Sequence, residues 1–251
     1  MKLNVVAPRT GAEWVRLGVR TFFRQPLALA GLFFMYMAAI LVVSMLPLVG
    51  VVVGGMLVPA ATLGLMVASA EAAKGRFPMP SVLLSAFRAG QQRARAMVVL
   101  GAIYTTGSIV AGGLATLVAG TPTPEPGRID GSTMLALALH VPLFVVFWHA
   151  PALAHWHGIA PAKCLFFSAV AVWRNLGAHI VYALGWLLLF LGVGSVLGLV
   201  GGIIGGPGMA QSIMIPTALL MAAMFTTSIY FTFRDSFSAD PEEALDPATD
   251  A

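Results

Sequence analysis

The chain has 251 residues, 59% of them hydrophobic and only 10% charged, with a mean hydropathy of +0.90. A soluble domain carries about 25% charged residues because it must cover a water-facing surface. The deficit means that most of this surface faces something apolar, and a lipid bilayer fits. The net charge of +4 does not mark a partner of nucleic acid, because the basic residues are scattered between apolar runs. There they read as orientation signals and as contacts to anionic headgroups. The single cysteine, Cys164, excludes an intramolecular disulfide.

Lys2, Arg9, Arg16, Arg20 and Arg24 precede the first apolar run. From Glu13 to Arg24 the residues Glu13, Arg16, Arg20 and Arg24 recur at three- and four-residue spacing, while Trp14, Leu17, Gly18 and Phe22 fill another face. That pattern predicts an amphipathic helix suited to the membrane interface. A span needs roughly 20 apolar residues to cross about 30 Å of hydrocarbon. The run from about Pro26 to Leu46 meets this and exceeds the core of a signal peptide, so it is read as a retained first span. The second span follows from about Leu48 to Ala70.

A second amphipathic candidate opens at Pro80-Ser81 and sets Val82, Leu83, Ala86 and Phe87 against Arg88, Gln91, Gln92 and Arg95. The third span runs from about Ala96 to Ala119 and the fourth from about Ser132 to Ala154. Between them, Gly120 to Gly131 contains Pro122, Pro124 and Pro126 and is predicted to be extended. A third short helix is expected from Pro161 to about Asn175, more apolar and so wedged among the spans. The fifth span, about Ala178 to Ile204, and the sixth, about Met209 to Phe231, flank the turn signal Gly205-Gly206-Pro207-Gly208. After Arg234 come Asp235, Asp240, Glu242, Glu243, Asp246 and Asp250 with no base, so residues 235–251 are expected to be a disordered acidic tail.

Placing the N-terminus inside puts thirteen of the fourteen Lys and Arg residues on the cytoplasmic side and only Arg128 outside. The positive-inside rule therefore sets the orientation, with both termini cytoplasmic. The fold class is all-α, a polytopic transmembrane bundle of six spans forming one domain over residues 1–234. Each short helix ends in an aromatic residue followed by Arg, at Phe23-Arg24, Phe87-Arg88 and Trp173-Arg174. The second span of each pair carries a proline before a small residue, at Pro59-Ala60, Pro151-Ala152 and Pro216-Thr217. These recurrences suggest three parallel units, about 11–75, 79–158 and 160–234, each an interfacial helix plus a two-helix hairpin.

Ionisable groups within spans are costly and usually mark ion or substrate paths. The central portions of these spans hold no Asp, Lys or Arg, Glu71 sits at an end, and only His140 lies deep. A histidine bonded to a carbonyl of a neighbouring helix is the expectation there. His149, His155 and His157, interleaved with Trp148 and Trp156, offer three imidazoles, with Cys164 as a fourth candidate metal ligand. Helical ligands pair at i and i+4, whereas His155 and His157 are two apart. An interfacial belt of Trp and His is therefore the preferred reading, and no metal is assigned. Gly194, Gly198, Gly202 and Gly206 form a four-residue ladder for close helix packing or self-association, with Gly201 and Gly205 as a second row. Pro59, Pro142, Pro151 and Pro216 are expected to kink their spans. Arg16, Arg20, Arg24, Arg88, Arg93, Arg95 and Arg174 are expected to contact lipid headgroups on the inner face. No Walker loop, dinucleotide fingerprint, nucleophile elbow or zinc-protease helix is present, so no catalytic residue and no cofactor is assigned.

Three segments carry a resemblance: Arg9–Phe34, Gly75–Arg95, and Phe147–Trp186 with FWHAPALAHWHG followed by WRNLGAHIVYALGW. They resemble an uncharacterised family of six-span inner-membrane proteins of proteobacteria, over most of the chain to about Arg234. The third segment is loosely similar to membrane domains attached to bacterial glycerophosphodiester phosphodiesterases, whose soluble catalytic domain has no counterpart here. The resemblance implies a bacterial inner-membrane location and this architecture, and carries over no activity. The favoured function is a non-enzymatic scaffold or accessory subunit, engaging a membrane-protein partner or a second copy. A small uncoupled transporter or channel is the alternative, and a metal-handling membrane protein the third reading.

Overall fold

A computed structural model describes residues 1–47, 49–122 and 130–238. The loop prolines Pro124 and Pro126, Arg128, and the acids Asp240, Glu242, Glu243, Asp246 and Asp250 lie outside the described residues. After the two-residue strand β1 (Lys2–Leu3) come α1 (Thr10–Arg24), α2 (Pro26–Ser44) and α3 (Gly50–Ala73). A 3-10 turn at Pro80–Leu84 leads to α4 (Ser85–Arg88), α5 (Gln91–Ala119), α6 (Gly131–Phe147) and α7 (Ala150–Trp156). The chain ends its described course in α8 (Pro161–Arg174), α9 (Leu176–Ser236) and β2 (Phe237–Ser238). Among the described residues, five helical stretches are long and apolar enough to cross a bilayer: α2, α3, α5, the run Gly131–Trp156, and α9. Helices suit such sequences because each satisfies its own backbone groups where no water can.

The 61 residues of α9 would extend about 90 Å if straight. They do not, because Gly205 (φ −143°, ψ 17°) and Gly206 (φ 71°, ψ −166°) leave the helical region, and Pro207 follows. Gly206 occupies backbone space that is essentially reserved for glycine. The arms on either side then meet. A Cβ on Gly198 would touch Met214 Sδ at 3.3 Å, and one on Gly201 would lie 2.9 Å from Ala210 Cα. Further along, the Tyr182 hydroxyl lies 2.6 Å from Ser228 Oγ, across 46 positions of sequence. The last long helix is thus a hairpin, with its turn where the Gly-Gly-Pro-Gly signal stands.

The chain forms two compact units. The first comprises the described residues of Met1–Met35, Leu65–Val82 and Trp173–Ala251, and the second those of Tyr36–Gly64 and Leu83–Val172. These boundaries do not follow the sequence units 11–75, 79–158 and 160–234.

In the first unit, α1 lays its face of Gly11, Trp14, Val15, Gly18, Thr21 and Phe22 against α9. The helix expected at the membrane interface therefore buries its apolar face on protein, while Arg16, Arg20 and Arg24 stay exposed. Trp14 is fully buried and its indole N–H donates to Asp235 at 2.9 Å. Both ends of the described chain meet here. Lys2 pairs with Ser238 and Leu3 with Phe237 in antiparallel register, and the Asn4 amide donates to the Ser236 carbonyl at 2.9 Å. Asp235, Ser236, Phe237 and Ser238, expected within a disordered tail, are ordered by these bonds.

The second amphipathic helix does not run from Pro80 through to Arg95 as expected. Gly90, at φ 98°, interrupts it, and Gln91, Gln92 and Arg95 belong to the first turns of α5. In the second unit, α3 and α5 approach with backbone nearly in contact, since a Cβ on Gly101 would strike the Met56 carbonyl. Tyr104 and Phe147 meet edge to face at 5.2 Å, joining α5 to α6.

Candidate functional site

In the second unit His149 and Ser168 meet where α6 breaks into α7. Pro151 has no N–H to offer the carbonyl of Phe147, so the helix cannot continue regularly through it. The chain instead bends at Trp148 and His149, and Pro151 falls in the first turn of α7, where a missing donor costs nothing. The span Gly131–Trp156 thus bends at Trp148 and His149, and Pro151 opens its second helix. Ser168 of α8 closes the gap: its Oγ accepts from the His149 amide at 2.9 Å and donates to the Val145 carbonyl at 3.3 Å. This hydroxyl, fully buried, was not singled out by sequence, because its partners lie about twenty positions away.

Two hollows lie along one face of α5. The first, about 240 Å³, is lined by Gln92, Arg93, Arg95, Ala96 and Val99 of α5 and by Ala154, Gly158, Ile159, Ala160 and Pro161 opposite. Gly158 makes the turn between α7 and α8 at φ 62°. The second, about 370 Å³, is lined by Ile103, Gly107, Val110, Ala111 and Leu114 of α5, by Leu139, Pro142, Leu143, Val146 and Phe147 of α6, and by Leu165 of α8. Every side chain lining it is apolar. Gly107 helps open it, since a Cβ there would lie 2.9 Å from Leu143 Cδ1.

The histidines and Cys164 are placed as follows. His149 is fully buried at the start of α7, and His155 packs edge-on against Trp156 at 5.7 Å. His157 follows the last turn of α7. The Cys164 thiol is buried and donates to the Ile159 carbonyl at 3.2 Å. Burial pushes this thiol up to about 12, away from the thiolate a metal requires. Among the described residues no three His, Cys, Asp or Glu side chains group closely enough to hold a metal ion. The deep His140 bonds the carbonyl of Ala136 in its own helix at 2.7 Å, not one on a neighbour.

Of the glycine ladder, Gly198 faces Met214, a Cβ on Gly194 or Gly202 would meet nothing within 4 Å, and Gly206 makes the turn. The close contact between the arms falls instead on Gly201, in the second row. Helices come closest to touching at Gly11, Gly18 and Gly101; sequence places Gly18 on the apolar face of α1 and does not single out the other two. The signal for Gly101 was present as Gly101 and Thr105, a small-xxx-small pair whose Thr105 meets Gly55. Pro59, Pro142 and Pro216 lie inside α3, α6 and α9. Arg88, Arg93, Arg95 and Arg174 are exposed, as are the three arginines of α1. Arg24 reaches the Ala73 carbonyl at 3.4 Å, and Arg76 pairs with Glu71, with a second bond of 2.7 Å.

Leu188, Ile203 and Ile204 are each at least 70% exposed on α9. Surfaces this apolar exceed what a soluble monomer tolerates. Continuous apolar helices with lipophilic exteriors and basic, aromatic ends define a helical integral membrane protein. The chain is 33% identical, over 94% of its own length and 94% of the relative's, to a protein of Burkholderia thailandensis named a probable inner membrane protein. It belongs to the family of that protein, and its place is the bacterial inner membrane. No family model matches the chain, and no solved structure matches it.

Proposed function

We propose that the protein crosses the inner membrane six times with both termini in the cytoplasm, and serves as a non-enzymatic scaffold or accessory subunit of a membrane assembly. The pairing of Lys2–Leu3 with Phe237–Ser238 carries the topology. Two hydrogen-bonded segments cannot lie on opposite sides of a bilayer, so the number of crossings is even. The helices α2, α3, α5 and the run Gly131–Trp156 account for four, and the two arms of α9 for two more. The Arg24 bond to Ala73 ties the end of α3 to the end of α1, and the Asn175 bonds to Asn4 and Ser236 tie the start of α9 to the paired termini. Residues 74–90 contain no spanning helix, so Arg88, Arg93 and Arg95 share the side of Lys74 and Arg76. This set of basic residues marks that side as cytoplasmic. The three-unit reading is supported by α1, α4 and α8, each of which ends at the arginine of its aromatic-Arg pair.

The scaffold role is supported by the chemistry of the spans. Their middles carry no Asp, Lys or Arg, and the deep His140 is satisfied inside its own helix, a poor basis for ion-coupled transport. A topology test uses single cysteines on a Cys164→Ala background. An impermeant maleimide added to spheroplasts should label Thr121→Cys and leave Gln91→Cys untouched, and the reverse pattern rejects the orientation. For the role itself, native gels of gently solubilised membranes should show the chain in an assembly larger than its own oligomers. Migration only as free chain, together with selective solute flux in liposomes, would replace the scaffold with a facilitator.

A further inference from the structure

We infer that one face of α5 is a binding groove for a single anionic phospholipid of the inner leaflet. Its phosphate lies between Arg93 and Arg95, and an acyl chain lies in the apolar hollow beyond. The leaflet, though not the site, rests on the cytoplasmic orientation proposed above.

The helical register carries the inference. Gln92, Ala96 and Val99 line the first hollow, and Ile103, Gly107, Val110 and Leu114 the second. Successive members are three or four residues apart, so all seven fall within about 80° of the helix circumference. The step from Val99 to Ile103, where one hollow gives way to the other, is one turn, about 6 Å. The opposite wall is shared too, since Pro161 borders the first hollow and Leu165, one turn on in α8, the second. From Gln92 to Leu114 the stripe rises about 33 Å, comparable with the hydrocarbon thickness of a bilayer.

Charge complementarity selects the occupant. At 100° per residue, Arg93 and Arg95 flank the stripe on its two sides, both exposed. No acid lines the first hollow to neutralise them. The second hollow presents apolar side chains alone. Cationic flanks followed by an alkyl-lined hollow match an amphiphile with an anionic head and a hydrocarbon tail, at the depth where a bilayer supplies one. A peptide would leave its backbone amides unsatisfied in the second hollow.

The test is native mass spectrometry of the full chain purified in detergent and mixed with equal amounts of phosphatidylglycerol, phosphatidylethanolamine and phosphatidylcholine of the same acyl composition. Wild type should retain one phosphatidylglycerol, preferred about thirtyfold over the zwitterionic lipids, given the attraction expected of two arginines near an anionic head. Arg93→Gln with Arg95→Gln should abolish that preference. Val110→Trp, which fills the second hollow, should weaken retention of all three lipids about tenfold while keeping their ranking. Val98→Trp, on another face of α5, should bind as wild type. Equal retention of the three lipids by wild type overturns the proposal, as does a preference that survives loss of both arginines. So does wild-type binding by Val110→Trp, or an equal loss with Val98→Trp. The measurement reads neither orientation nor assembly, so its failure leaves the scaffold reading intact, and the converse holds.

Discussion

Asn175 does the work of a small domain interface with one amide. It is 1% exposed. Its Oδ1 accepts from the Val6 amide at 2.9 Å, and its Nδ2 donates to the Asn4 carbonyl at 3.0 Å and to Ser236 Oγ at 3.3 Å. Three chain segments thus meet on one side chain, and its removal strands buried partners. Asn175→Ala should cost about 2–4 kcal/mol, from lost bonds and unsatisfied groups, read as a lower melting temperature in detergent with the helical signal otherwise unchanged. Sequence gave no hint of this role, because the partners lie 61 to 171 positions away and an asparagine between two helices reads as a plain cap. Cys164 is the opposite case: conspicuous in the sequence and quiet in the structure. With its thiol pushed up to about 12 by burial, it stays protonated at pH 8, and only about one ten-thousandth is thiolate. Maleimide at that pH should therefore leave the folded protein unmodified and label it on unfolding in dodecyl sulfate. Equal rates in both states would show that the thiol is accessible.

At the scale of elements, α1 shows how an amphipathic pattern is legible while its partner is not. Spacing sets Trp14, Leu17, Gly18 and Phe22 on one face, and the structure buries all of them but Leu17, which is half-buried. What that face meets is α9, more than 150 positions away, and the pattern alone fits lipid equally well because both surfaces are apolar. The glycines are the sharper evidence of protein contact. A Cβ on Gly11 would collide with the Ala178 carbonyl, and one on Gly18 with Ser228 Cβ. Ser228 cannot easily withdraw, since it accepts from Trp186 at 3.2 Å and donates to the Phe225 carbonyl at 2.6 Å. Gly18→Ala should push α1 off α9 and destabilise the fold by about 1–3 kcal/mol, the usual range for overpacking. The same change at Gly112, where a Cβ would meet nothing within 4 Å, should lower the melting temperature little or raise it. The α9 ladder Gly194, Gly198, Gly202 and Gly206 is regular in sequence. Packing follows which residues face a neighbour, and that depends on where the turn at Gly205–Gly206 sets the register of the two arms.

For the molecule as a whole, hydropathy sufficed to place the long apolar helices, because lipid leaves backbone polar groups few alternatives. It could not divide them into the two compact units, each assembled from segments distant in sequence. Nor could it find the clasp of the termini, since Lys2–Leu3 and Phe237–Ser238 are too short to carry a strand pattern. Yet that clasp tests the topology most directly, because it requires the two ends of a repeatedly spanning chain to share one side of the membrane. Lys2 and Ser238 are opposite partners in the ladder, at a separation compatible with a disulfide. With Cys164→Ala as background, Lys2→Cys combined with Ser238→Cys should oxidise within a single chain in native membranes, giving a compact, reductant-sensitive species on a denaturing gel. Lys2→Cys combined with Thr121→Cys should not, because Thr121 follows α5 and the proposed topology puts three crossings between it and the terminus. A cross-link in the second pair and none in the first would mean that the ends are separated by the bilayer. An even number of crossings, and the cytoplasmic set of arginines built on it, would then be lost together.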